Sequence, residues 1–105
     1  MSIRILLADD HAVVRHGLSQ VLQQEEDIEV VGQAGDGRSA IAMVRELVPN
    51  IVVMDITMPD LNGIEATREI HKETPAVKVI ALSMHTTLKH ITEMFRAGAS
   101  GYLLK

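Results

Sequence analysis

Five short apolar runs punctuate the chain, at Ile3 to Ala8, Ile28 to Val31, Ile51 to Met54, Val77 to Leu82 and Tyr102 to Leu104, and most are near-continuous rather than alternating. Strands that read this way are covered on both faces, as in a parallel sheet held between helices. The segments between the runs carry apolar residues at helical spacing: Val14, Leu18, Val21 and Leu22; Ile41, Val44 and Val48; Ile64, Thr67 and Ile70; Leu88, Ile91 and Phe95. Pro49, Pro59 and Pro75 fall between elements, Thr86 or Thr87 can cap the fourth helix, and Gly98 can close it in a left-handed conformation. Alternation of strand and helix implies right-handed crossovers. The expected fold is α/β, a doubly wound five-stranded parallel sheet of flavodoxin-like order 2-1-3-4-5.

A chain of 105 residues suffices for one domain and one core. The alternation stops at Lys105, one helix short of five βα units. A fifth helix burying on the order of 500 Å² of apolar area would contribute about 10 kcal/mol as an upper bound, comparable to the net stability of a domain. The expectation is a domain over 1–105 cut short before its last helix, a disordered tail, or a second copy covering the bare face.

Ten basic residues against fourteen acidic ones leave a net charge of −4, and the Lys and Arg residues are scattered, so nothing here suits a phosphate backbone. Without cysteine there is neither a disulfide nor a thiolate metal site. The N-terminal apolar run is too short for a signal peptide or a membrane span, so a cytoplasmic protein with no membrane partner is expected. Phe95 and Tyr102 are the only aromatics. Five dispersed histidines, at positions 11, 16, 71, 85 and 90, lack metal-ligand spacing and read as surface or loop residues; Met43, Met54 and Met94 read as core.

In a parallel α/β sheet, ligands bind beyond the carboxyl ends of the strands, where the strand order reverses. Here strand one is followed by Asp9 and Asp10, strand three by Asp55, strand four by Ser83 and strand five by Lys105. Three carboxylates at one edge stay ionised together only if a cation or donors compensate. Mg²⁺ (or Mn²⁺), which takes oxygen ligands and keeps water, suits the set: Asp10 and Asp55 as direct ligands, Asp9 through water, and the Thr57 backbone carbonyl as a further oxygen. A carboxylate beside such an ion can also be a nucleophile toward a phosphoryl group, which makes Asp55 the acceptor, with Lys105 as the point charge and the Ser83 hydroxyl as a hydrogen-bond donor. Taken singly, Asp9 and Asp10 read first as the start of a helix, Asp55 as a turn residue and Lys105 as a solvated charge. Their joint placement carries the argument.

The segments L-L-A-D-D-H (6 to 11), V-M-D-I-T-M-P-D-L-N-G (53 to 63), A-L-S-M-H (81 to 85) and A-G-A-S-G-Y-L-L-K (97 to 105) together resemble the response regulator receiver family of two-component systems, over the whole chain. The resemblance implies a CheY-like fold, phosphorylation of Asp55 by a partner histidine kinase, an acidic metal pocket at Asp9 and Asp10, a switch hydroxyl at Ser83, a switch aromatic at Tyr102 and a phosphoryl contact at Lys105. It implies no enzyme beyond acceptance and loss of that phosphoryl group. Met58, Pro59 and Gly63 match the family's loop after the phosphorylation site.

The blocks at 32 to 37 and 82 to 85 are most similar to the NarL/FixJ subfamily, which implies a homodimer on phosphorylation and transcription control through a C-terminal helix-turn-helix domain outside these residues. Met84 departs from the small residue common in the wider family, and slower dephosphorylation is expected from its bulk. A haloacid-dehalogenase-type phosphatase would need a D-x-D after the first strand. An FMN-binding flavodoxin would need a phosphate loop where two anions stand. The remaining alternative is a stand-alone receiver, or a pseudo-receiver, acting through protein contacts.

Overall fold

The computed structural model describes residues 2–58, 61–83 and 88–104. Nine elements alternate along the chain: β1 (Ile3–Ala8), α1 (Ala12–Gln23), β2 (Ile28–Ala34), α2 (Gly37–Leu47), β3 (Ile51–Asp55), α3 (Gly63–Glu73), β4 (Lys78–Ser83), α4 (Leu88–Ala97) and β5 (Gly101–Leu104). The strands form one parallel sheet in the order β2-β1-β3-β4-β5, as the sequence predicts. Right-handed crossovers then put α1 on one face and α2, α3 and α4 side by side on the other.

The main core lies under α2 and α3. Leu6 and Ala8 of β1, Val52 and Met54 of β3 and Val79 of β4 meet Val44, Ala66 and Ile70 from the helices, all buried. A smaller cluster of Ile56, Ala81, Met94 and Ala99 continues the core under α4. Met54 and Met94 are fully buried and Met43 packs partly buried against the main cluster, as expected of gap-filling residues.

Three departures from the periodicity have local causes. Strand β2 runs on to Ala34 through a register shift against β1 between Ile5 and Leu6. Gly32 and Gln33 do not read as strand residues, yet a Cβ on Gly32 would stand only 3.1 Å from Leu6 Cδ1 and 3.2 Å from Leu47 Cδ1, so close packing selects glycine there. Helix α2 stops before Val48, which caps it in a left-handed conformation at φ 44°. In α4 the spacing finds the helix but not its inner face: Leu88 is 78% and Phe95 47% exposed, while Met94 and Ala97 are buried.

Helix ends are set by side chains where the sequence offers them. Asp36 accepts from Ser39 N at 2.8 Å to start α2, and Asn62 accepts from Glu65 N at 3.0 Å to start α3. Gly98, at φ 117°, closes α4 as expected, with Gly98 N donating to Phe95 O and Ala99 N to Met94 O in a Schellman arrangement. The proposed capping residues Thr86 and Thr87 lie outside the described residues.

On the face that carries α1, the sheet is thinly covered toward β5. Val53 and Ile80 are only half-buried and Leu103 is 53% exposed. The three alternate with residues that point into the core clusters, so they share the opposite face.

Candidate functional site

Strand register places the acidic residues. Ala8 pairs with Met54, so the residues that follow, Asp9 and Asp55, leave adjacent strands at the same level. Asp55 is itself the last residue of β3 and pairs with Leu82, one residue before Ser83, which ends β4. Asp9, Asp55 and Ser83 are almost wholly buried, at 2%, 2% and 1% exposure. Asp10 is exposed. Buried carboxylates on neighbouring strands are costly unless donors or a cation face them.

Some of those donors are visible. Thr57 N donates to Asp55 Oδ1 at 3.2 Å, turning the chain back over the carboxylate. His11 N donates to Asp9 Oδ1 at 2.8 Å, and Arg15 Nη1 donates to the Asp9 backbone carbonyl at 2.6 Å while its Nε reaches Gln33 Oε1 at 3.2 Å. Arg15 therefore ties the ends of β1 and β2 together from the first turns of α1. The loop after β3 is clamped from beneath: Gly63 N donates to Ile56 O at 2.8 Å, and the start of α3 presses on the Asp55 backbone.

Together, Asp9, Asp10, His11 and Asp55 offer three carboxylate oxygens and one imidazole nitrogen within 4.8 Å of one another. Three oxygen donors from aspartates at the carboxyl edge of a parallel sheet suit a hard divalent cation. The structure thus brings together Asp9, Asp10 and Asp55, with Thr57 two residues beyond Asp55. Tyr102 stands on β5, half-buried against the cluster of Ile56, Ala81 and Met94. Lys105, Pro59, Met84 and His85 lie outside the described residues.

Sequence reading missed two contributors. His11 reads as one of several dispersed surface histidines, yet its ring lies 3.1 Å from Asp9 Oδ1 and 3.2 Å from Asp10 Oδ1. Adjacency to the aspartate pair is the signal that could have singled it out. Nothing in the sequence distinguishes Arg15 from the other scattered arginines.

Residues 5–105 match the family model described as the response regulator receiver domain. The chain is a response regulator receiver domain. Among curated relatives, this receiver is 43% identical over 103 residues to the transcriptional regulatory protein DegU of Brevibacillus brevis, covering 98% of the chain and 44% of that protein. It is 42% identical over 105 residues to the response regulator protein VraR of Staphylococcus epidermidis, covering 100% of the chain and 50% of that protein. The receiver thus spans about half the length of these relatives. Among solved structures, a LuxR-family two-component response regulator from Aurantimonas sp. SI85-9A1 superposes with a TM-score of 0.95 at 40% identity, covering 100% of the receiver and 75% of that chain. These likenesses agree with the subfamily resemblance read from the sequence, and the family is a regulatory one. Among the described residues, no helix is long and apolar enough to cross a membrane.

Proposed function

We propose that this receiver accepts a phosphoryl group on Asp55 from a histidine kinase and thereby switches a longer, cytoplasmic transcription regulator. The observation that carries the reading is the convergence of Asp9, Asp10 and Asp55 at one end of the sheet, two of them buried. The donor set fits Mg²⁺ or Mn²⁺, held by Asp10 and Asp55, with Asp9 through water and the Thr57 carbonyl as a further oxygen. Such an ion, when bound, neutralises charge on the phosphoryl oxygens.

The protein's own residues do the rest. An Asp55 carboxylate oxygen forms the new bond to phosphorus as the bond to the donor's imidazole nitrogen breaks, and the departing imidazole keeps the electron pair and takes up a proton. Thr57 N, already bonded to Asp55 Oδ1, orients the carboxylate. Ser83, buried at the end of the next strand, supplies a hydroxyl for a phosphoryl oxygen, and Lys105 a counter-charge. Movement of Ser83 toward the phosphoryl group opens space for the half-buried Tyr102 ring to turn inward. Homodimerisation on phosphorylation and a DNA-binding domain beyond Lys105 complete the proposal; for the second, the names and lengths of the curated relatives are the support.

The test is mass spectrometry after incubation with acetyl phosphate, with and without Mg²⁺, on wild type and Asp55→Asn, both shown folded by circular dichroism. A Mg²⁺-dependent gain of one phosphoryl group on the wild type alone is expected. No gain on folded wild type would leave a pseudo-receiver acting through protein contacts.

A further inference from the structure

One donor in the acidic cluster is a nitrogen. His11 is the N-cap residue of α1, at φ −89° and ψ 103°, and its side chain makes no capping hydrogen bond, so the helix end does not engage the ring. Nδ1 faces the acids instead, 3.1 Å from Asp9 Oδ1 and 3.2 Å from Asp10 Oδ1, in a set of four ligand atoms that includes Asp55. Two atoms bound side by side to one ion through bonds of roughly 2.1 Å stand about 3 Å apart. The imidazole keeps that spacing to Asp10, the direct ligand of the adjacent pair.

We propose that His11 is a nitrogen ligand to the divalent ion of this pocket and shifts its preference toward borderline transition cations, Co²⁺, Ni²⁺ and Zn²⁺, relative to Mg²⁺; the assignment rests on reading the acidic cluster as the ion pocket. Mg²⁺ favours oxygen ligands and retains its waters, so an imidazole adds little to its binding. Imidazole suits Ni²⁺ and Zn²⁺, and affinity at a mixed nitrogen and oxygen site climbs from Mn²⁺ through Co²⁺ to Ni²⁺. The ring is already in place. The bond from the His11 backbone N–H to Asp9 Oδ1, at 2.8 Å, anchors the backbone that carries the imidazole, so little freedom is lost when the ring binds the ion.

His11→Gln removes the nitrogen ligand from a side chain that is 63% exposed and caps nothing, so the fold is retained. The experiment has two readouts on wild type and His11→Gln: electron spin echo envelope modulation of the Mn²⁺-loaded protein, and calorimetric titration with Mg²⁺ and Ni²⁺. The expected result is a directly bound nitrogen-14 signal in wild type that His11→Gln abolishes. Ni²⁺ affinity should fall at least about tenfold, with Mg²⁺ affinity changed less than about twofold.

If Mg²⁺ and Ni²⁺ bind both proteins equally and no nitrogen signal is seen, His11 is only a hydrogen-bond partner of the carboxylates; the proposal then fails while the ion pocket stands. A nitrogen signal that persists in His11→Gln assigns the ligand to another residue and overturns it as well. Wild type that binds neither ion would overturn both the proposal and the pocket.

Discussion

A methyl group on Gly63 would sit 2.0 Å from the backbone oxygen of Asp55 and 2.8 Å from the Asp55 carbonyl carbon and the Ile56 Cα. The atoms in the way are backbone, so no side-chain rotation relieves the clash. Gly63→Ala must push α3 off the end of β3 and break the Gly63 N to Ile56 O hydrogen bond. A loss of about 2–3 kcal/mol is expected, in the upper range for overpacking. Urea denaturation checks it; an unchanged midpoint would mean that the loop after Asp55 yields freely.

Asp9 and Asp55 bury like charges on adjacent strands. In EDTA, Asp55→Asn removes one of those charges and can still accept the Thr57 N–H bond, so the variant should be more stable than wild type by about 1–2 kcal/mol. Mg²⁺ should reverse the advantage, raising wild-type stability by about 2.7 kcal/mol at a free concentration one hundred times its dissociation constant. Thermal melts with and without Mg²⁺ would decide it. Equal melting temperatures of the two proteins in EDTA would show that local donors already balance the carboxylates.

Val48 occupies the left-handed region at φ 44°, where a β-branched side chain crowds the following carbonyl. Its side chain is exposed, and its backbone oxygen accepts from Arg4 Nη1 at 3.0 Å, which helps hold the conformation. Val48→Asn keeps that carbonyl and tolerates the angle. A gain of about 1 kcal/mol is expected, measurable as a higher urea midpoint; a loss would show that Val48 packing outweighs its strain.

Arg45 on α2 and Glu73 on α3 form a two-pronged pair, with Nε to Oε1 at 2.8 Å and Nη2 to Oε2 at 2.7 Å. The hydrogen bonds from Arg45 hold the Glu73 carboxyl below its usual range, and the charges of Arg45 and Lys72 add to the effect against partial burial. A lowered folded-state pKa gives stability that is present above the unfolded value and lost as pH falls through the folded one. Carboxyl NMR titration should show the Glu73 midpoint rising in Arg45→Gln. The stability gap between the two proteins should close as pH drops through the wild-type Glu73 titration. Because the pair is solvent-exposed, the gap is small and shrinks in salt.

The sequence alone determined the alternation of strands and helices, the parallel order and the gathering of Asp9, Asp10 and Asp55 at one end. These follow from local patterns: continuous apolar runs for strands covered on both faces, 3.6-residue spacing for helices, and polar residues where each strand ends. Tertiary packing decided the rest. The extension of β2 through Gly32 depends on the approach of Leu6 and Leu47, and the inner face of α4 on how that helix is turned beside α3, which buries Met94 and Ala97 and leaves Leu88 and Phe95 outside. Arg15 joined the site because α1 packs on β1 and β2 and brings its first turns over the acidic end of the sheet, whereas His11 meets the carboxylates through adjacency in the chain. Periodicity fixes which residues share an element's face, but which face is buried and which side chain bridges two strand ends, as Arg15 bridges Asp9 and Gln33, depend on distances between elements far apart in the chain.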